Sequence, residues 1–113
     1  MEGGKTPVLA RNKKAFHDYF IEDKLEAGIE LVGTEVKSVK AGKVSIKESF
    51  IRIIRDEIFV MNMHITPYEF GNINNVAESR VRKLLLNRRE IKKWSEKIQE
   101  QGYTIVPISI YTK

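Results

Sequence analysis

The stretch SIKESFIRIIRDEIFVMNMHI, residues 45–65, constrains the fold more than any other. Its apolar residues are β-branched, aromatic or thioether, and they recur two apart, the period of a strand. Ile46, Phe50 and Ile54 share one face with Glu48 and Arg52, and Ile51 and Ile53 share the other. Ile58, Phe59, Val60, Met61 and Met63 make the return. A β-hairpin is predicted, turning at Arg55-Asp56-Glu57. That turn lacks the glycine a tight hairpin prefers, which leaves the register open. Pro67 has no N–H for a ladder, so Thr66-Pro67 ends the return strand.

The flanking segments fit around this hairpin. AFHDYFIE, residues 15–22, alternates aromatic and polar positions and reads as another strand. GTEVKSVKAGK reads as a short helix, capped by Thr34 and stopped at Gly42. Val36 and Val39 would face inward, with Lys37, Lys40 and Lys43 outward. RKLLL, residues 82–86, reads as a strand running into a helix, because Asn87 and Glu90 have capping-box spacing. That helix spans residues 88 to about 101, with Ile91, Trp94 and Ile98 as its apolar stripe and Gly102 as its stop. YTIVPISIYTK closes the chain as a strand whose Pro107 argues for an edge or a bulge. Residues 1–10 read as a flexible leader, and residues 67–79 as a loop rich in Gly and Asn. The sum is one domain over residues 1–113, mainly β with flanking helices. An OB-fold-like antiparallel β-barrel of about six strands is expected.

Charge is segregated along the chain. Asp18–Glu35 carries six acids and one base, Lys37–Arg55 six bases and one acid, and Arg80–Lys93 seven bases and one acid. Net charge is +5. On a folded domain such blocks can build a basic face, the electrostatic footprint of nucleic-acid binding. Enzyme chemistry finds little support. His17 and His64 have no second His or Cys at metal-ligand spacing, no phosphate-cradling glycine loop occurs, and no serine sits in a nucleophile elbow. No catalytic residue, metal or cofactor is expected. Cysteine is absent and no apolar run approaches the ~20 residues of a membrane span, so a cytoplasmic protein without a membrane partner is expected. On chemistry and neighbourhood, Lys14, His17, Tyr19 and Arg80 are candidate RNA contacts, the cations for phosphates and the rings for stacking.

The blocks NKKAFHDYFIEDKLEAGIELVGTEVKSVKAGKVS, HITPYE, RVRKLLLNRREI and GYTIVPISIY resemble the SsrA-RNA-binding family, small protein B, over Asn12 to Tyr111. The resemblance implies an OB-fold-like barrel that binds the tRNA-like domain of transfer-messenger RNA near its D-loop and elbow. It implies delivery of that RNA to stalled ribosomes for rescue and nascent-peptide tagging, with no cofactor and no small-molecule substrate. Carried over by motif, it places Asn12, Lys13, Glu26, Arg82, Lys83 and Leu85 on the RNA face. The family continues past the position of Lys113 with a further strand and a basic tail that reaches the decoding region. RNA binding without the tail-dependent step is therefore the expectation. Read without the resemblance, a generic basic OB-like module for single-stranded RNA or a protein partner stands beside it.

Overall fold

The computed structural model describes residues 8–67 and 77–111. The predicted hairpin is present as β4 (Phe50–Ile54) and β5 (Glu57–Met61), in register from Phe50↔Met61 to Ile54↔Glu57. Its turn is the two-residue type with left-handed backbone at both central positions, Arg55 at φ 50° and Asp56 at φ 65°. The chain thus makes a tight turn without glycine, at a cost in backbone strain.

Two partners complete this sheet. β7 (Arg82–Leu85) pairs antiparallel with β5, and β2 (Gly28–Ile29) pairs with β7, giving the order β2-β7-β5-β4. Two smaller ladders pack nearby: β1 (Val8–Arg11) with β8 (Ser109–Tyr111), and β3 (Val44–Ser45) with β6 (His64–Ile65). Val39, Ile46, Val60, Met63 and Ile65 form the buried centre, drawn from a helix, two strands and the loops between them. Each such side chain contributes about 1.5–3 kcal/mol by leaving water.

The helices flank this core. α2 (Gly33–Lys40) buries Val39 and leaves Val36 half-buried. Its N-cap is Val32, two residues before the expected Thr34, because the Glu35 carboxylate accepts from the Val32 N–H at 3.0 Å and does the capping instead. Gly42 adopts φ 76° just past its end. α3 (Arg88–Gln101) matches expectation closely. The Asn87 side chain accepts from Glu90 N–H at 2.9 Å, Ile91 and Trp94 are buried, and Gly102 closes the helix at φ 69°.

The expected strand at residues 15–22 is not there. Lys13–Asp18 form a short helix, α1, and the residues beyond it are irregular. Asn12 caps it, accepting from Ala15 N–H at 3.2 Å. This local cap outweighs an aromatic alternation that buries little: Phe16 and Tyr19 are each half-exposed and Phe20 is almost fully exposed. The leader also ends sooner than expected, since Val8–Arg11 are β1, zipped to β8 across a hundred residues. Residues 103–108 carry no strand, so Pro107 precedes β8 and does not interrupt it. The architecture is antiparallel sheet with flanking helices, as expected, built of eight short strands in three sheets that do not join into a closed barrel among the described residues. Residues 1–7 of the leader and 68–76 of the loop lie outside those described.

Candidate nucleic-acid interface

Positive charge converges where β1 runs into α1. A cleft of about 340 Å³ opens there, between β1 and β3. Arg11, Lys13, Lys14 and Lys47 line it, with no carboxylate among the lining residues. Glu48 stands at its rim, 3.9 Å from Lys14 Nζ. Asn12 lies at the same place but points inward and is only 4% exposed. Its Nδ2 donates to Ile46 O at 3.2 Å and to Pro107 O at 3.1 Å, tying three distant segments together beneath the cations. At the far end of α1, His17 is exposed beside Asp18, and Tyr19 is half-exposed.

β7 sorts its residues by parity. Leu84 packs on the core, while Leu85 points the other way and is 53% exposed. Leu85 stays uncovered because its cross-strand neighbour is Gly28, which has no side chain to lay over it. Lys83 shares this outer face and pairs with Glu57 at 2.6 Å. That hydrogen bond, helped by the charges of Glu57 and Glu30, holds the Lys83 ammonium above its usual range. Glu26 is exposed two residues before Gly28. One further row crosses this face: Arg52 opposes Phe59, and Phe59 opposes Lys83.

Arg82 goes to the opposite face and is wholly buried. Its Nε donates to Glu35 Oε2 at 2.7 Å, and its Nη2 reaches the same oxygen at 2.6 Å and Glu78 O at 2.9 Å. Its Nη1 donates to Met63 O at 2.7 Å and Arg80 O at 3.1 Å. Arg80 grips the same carboxylate from the surface, Nε to Oε2 at 3.0 Å and Nη2 to Oε1 at 2.6 Å. Burial pushes the Glu35 carboxyl up, but hydrogen bonds from Arg80, the Val32 N–H and Arg82, with the charge of Arg82, outweigh it and hold the group below its usual range.

This arrangement has close relatives. The family model for "SmpB protein" matches residues 9–113. The chain belongs to the SmpB family. An SsrA-binding protein of Fusobacterium nucleatum is 65% identical over 92% of this chain and 70% of its own length. One from Caldanaerobacter subterraneus is 58% identical over 94% of this chain and 67% of its own length. A chain of the solved structure described as "tmRNA-SmpB: a journey to the center of the bacterial ribosome" superposes with a TM-score of 0.75, at 47% identity, over 95% of this chain and 74% of that one.

The ten candidates from the SmpB sequence pattern and its neighbourhood thus fall in three places. Lys13, Lys14, His17 and Tyr19 are exposed around α1, with Asn12 buried beneath them. Lys83 and Leu85 share the outer face of β7, and Glu26 is exposed two residues before β2. Arg80 and Arg82 meet at Glu35. Reading the sequence misses Arg11, Lys47 and Glu35. Only the β1–β3 packing brings Lys47 to the cleft, and only α2 against β7 makes Glu35 a partner for two arginines. Among the described residues no cluster of His, Cys, Asp and Glu could hold a metal ion, and no helix is long and apolar enough to cross a membrane.

Proposed function

We propose that this protein binds SsrA RNA, the transfer-messenger RNA, by its tRNA-like domain near the D-loop and elbow, and delivers it to stalled ribosomes in trans-translation. The cation-lined cleft at β1 and α1 carries the reading, supported by relatives that are themselves SsrA-binding proteins. Arg11, Lys13, Lys14 and Lys47 neutralise phosphates, releasing counterions from the RNA. Tyr19 and His17 offer rings to unpaired bases. Leu85 packs on a nucleotide, and Glu26 accepts from a base edge or holds a neighbouring cation. Lys83 joins in by exchanging Glu57 for a phosphate.

A second reading draws on the row Arg52–Phe59–Lys83, an aromatic ring between two cations on an exposed sheet face. Such a row suits stacking of single-stranded RNA without sequence preference. A salt titration separates the two. The tRNA-like domain of transfer-messenger RNA is bound in competition with an ordinary tRNA and a single strand. Preference for the tRNA-like domain that survives about 0.2 M salt is the expected result. Equal, salt-fragile binding to all three would overturn it in favour of the generic surface.

A further inference from the structure

Two arginines share one carboxylate at the start of β7, and a count of their donors separates their roles. A guanidinium has five N–H groups. Arg82 makes four hydrogen bonds inside the protein, from Nε to Glu35 Oε2, from Nη2 to Glu78 O and from Nη1 to Met63 O and Arg80 O, and its Nη2 also ion-pairs with Glu35 Oε2 at 2.6 Å. Its side chain is 0% exposed. Arg80 spends three, two on Glu35 and one from Nη1 on Val81 O at 3.3 Å. Among the described residues, one hydrogen remains without a partner on each of its Nη1 and Nη2, the nitrogens of the guanidinium's outer edge, and its side chain is 30% exposed.

Glu35 sets this difference. Its Oε2 accepts from both arginines and its Oε1 from Arg80 and the Val32 N–H, so the buried carboxylate has no capacity to turn away. By holding the Nε–Nη2 edge of Arg80 it leaves the outer edge directed elsewhere. One carboxylate between two guanidiniums leaves a single positive charge, and only Arg80 carries part of it to solvent. A fixed two-pronged guanidinium edge is matched to the paired oxygens of a phosphate.

We infer that Arg80 takes an RNA phosphate with its outer edge, that Glu35 is the positioning residue that aims it, and that Arg82 is an internal brace without RNA contact. The inference rests on the RNA-binding reading above and deepens it. It removes Arg82 from the RNA ligands that the family pattern suggests and adds Glu35, an acid, to the machinery that grips an anion.

The test titrates salt against affinity for the tRNA-like domain of transfer-messenger RNA, using the full chain. Arg80→Gln should weaken binding roughly tenfold at ~0.15 M salt and reduce the log–log salt slope by about 0.7–0.9, the signature of one lost phosphate contact. Arg80→Lys keeps the charge, so the slope should hold while affinity falls several-fold for want of the fork. Glu35→Gln should weaken binding in the parent but cost nothing further when Arg80 is already Gln. A merely structural role would cost as much in either background. Should Glu35→Gln not fold, the two Arg80 variants still decide the phosphate contact, and Glu35→Asp, which keeps the charge but shortens the reach, decides the aim by the same cycle. Unchanged affinity and slope in Arg80→Gln, or Arg80→Lys equal to the parent, would overturn the inference while parental binding keeps the functional reading. Loss of specific binding by the parent itself would overturn both.

Discussion

Arg82 and Lys83 are neighbouring cations on one strand, and they should respond to the same substitution in opposite ways. Arg82→Met keeps the apolar stem and volume but deletes a buried charge and five donors. Met63 O loses its side-chain donor at a buried residue, and Glu35 is left with Arg80 as its only cation among the described residues. Removing one partner of a buried ion pair costs roughly 3–5 kcal/mol. A chain of 113 residues shifts its midpoint by about 4 °C per kcal/mol, so the melting temperature should fall by about 12–20 °C. Lys83→Met removes a cation that is 41% exposed and paired with a half-exposed Glu57. Surface pairs of this kind add little to stability, so its midpoint should match the parent within error. Its RNA salt slope should instead fall by about 0.7–0.9. Thermal unfolding by circular dichroism, with the salt titration on the same samples, reads both quantities. A stable Arg82→Met protein with a reduced slope, or a Lys83→Met protein that melts early, would show that the two faces of β7 have been assigned the wrong way round.

Four further outcomes follow from particular contacts. Leu85→Ala should lower RNA affinity at an unchanged melting temperature, since its side chain is 53% exposed; a large loss of stability in thermal unfolding would refute a nucleotide contact. The Glu35 carboxyl is held below its ordinary 4.5, so it contributes stability that is present above that pH and lost as pH falls through its lowered value. Urea midpoints from pH 7 to pH 2 should show the gap between the parent and Glu35→Gln closing below pH 4.5. Replacing Arg55-Asp56 by Asn-Gly should raise stability by about 1 kcal/mol in urea unfolding, because both positions have positive φ. Asn12→Asp keeps the acceptor that caps α1 but turns a second oxygen toward Ile46 O and Pro107 O, so unfolding experiments should find it roughly 2–4 kcal/mol less stable.

What the sequence made legible was what short-range rules decide. The β4–β5 hairpin, the Asn87–Glu90 cap, the stripe of α3 and the Gly102 stop are all local, and all are present. What escaped depends on distant partners. Val8–Arg11 become a strand only because Ser109–Tyr111 exist to pair with them. Lys47 joins the cleft only through packing of β3 against β1. The strand expected at residues 15–22 failed for the converse reason. An alternating pattern needs a neighbouring strand to reward it, whereas Asn12 could cap a helix turn by itself.

The candidate site divides along the same line, and β7 shows where. Period two assigns Leu84 and Leu86 to one side and Leu85 to the other, and Leu85 is indeed the exposed one. The same parity already puts Arg82 with Leu84, facing the core, and Lys83 with Leu85, facing out. The family pattern, read as a block of cations, hides that distinction. Parity alone is still not enough, because a buried arginine costs more than a strand of this length can recover. A strand carrying one would shift register by a residue unless the core side supplied a charge and several acceptors. Glu35 supplies the charge from 47 positions away, and the carbonyls of Met63, Glu78 and Arg80 supply the remaining acceptors. The register of β7, and with it the outward placement of Lys83 and Leu85, therefore depends on an ion pair that no local rule could have found.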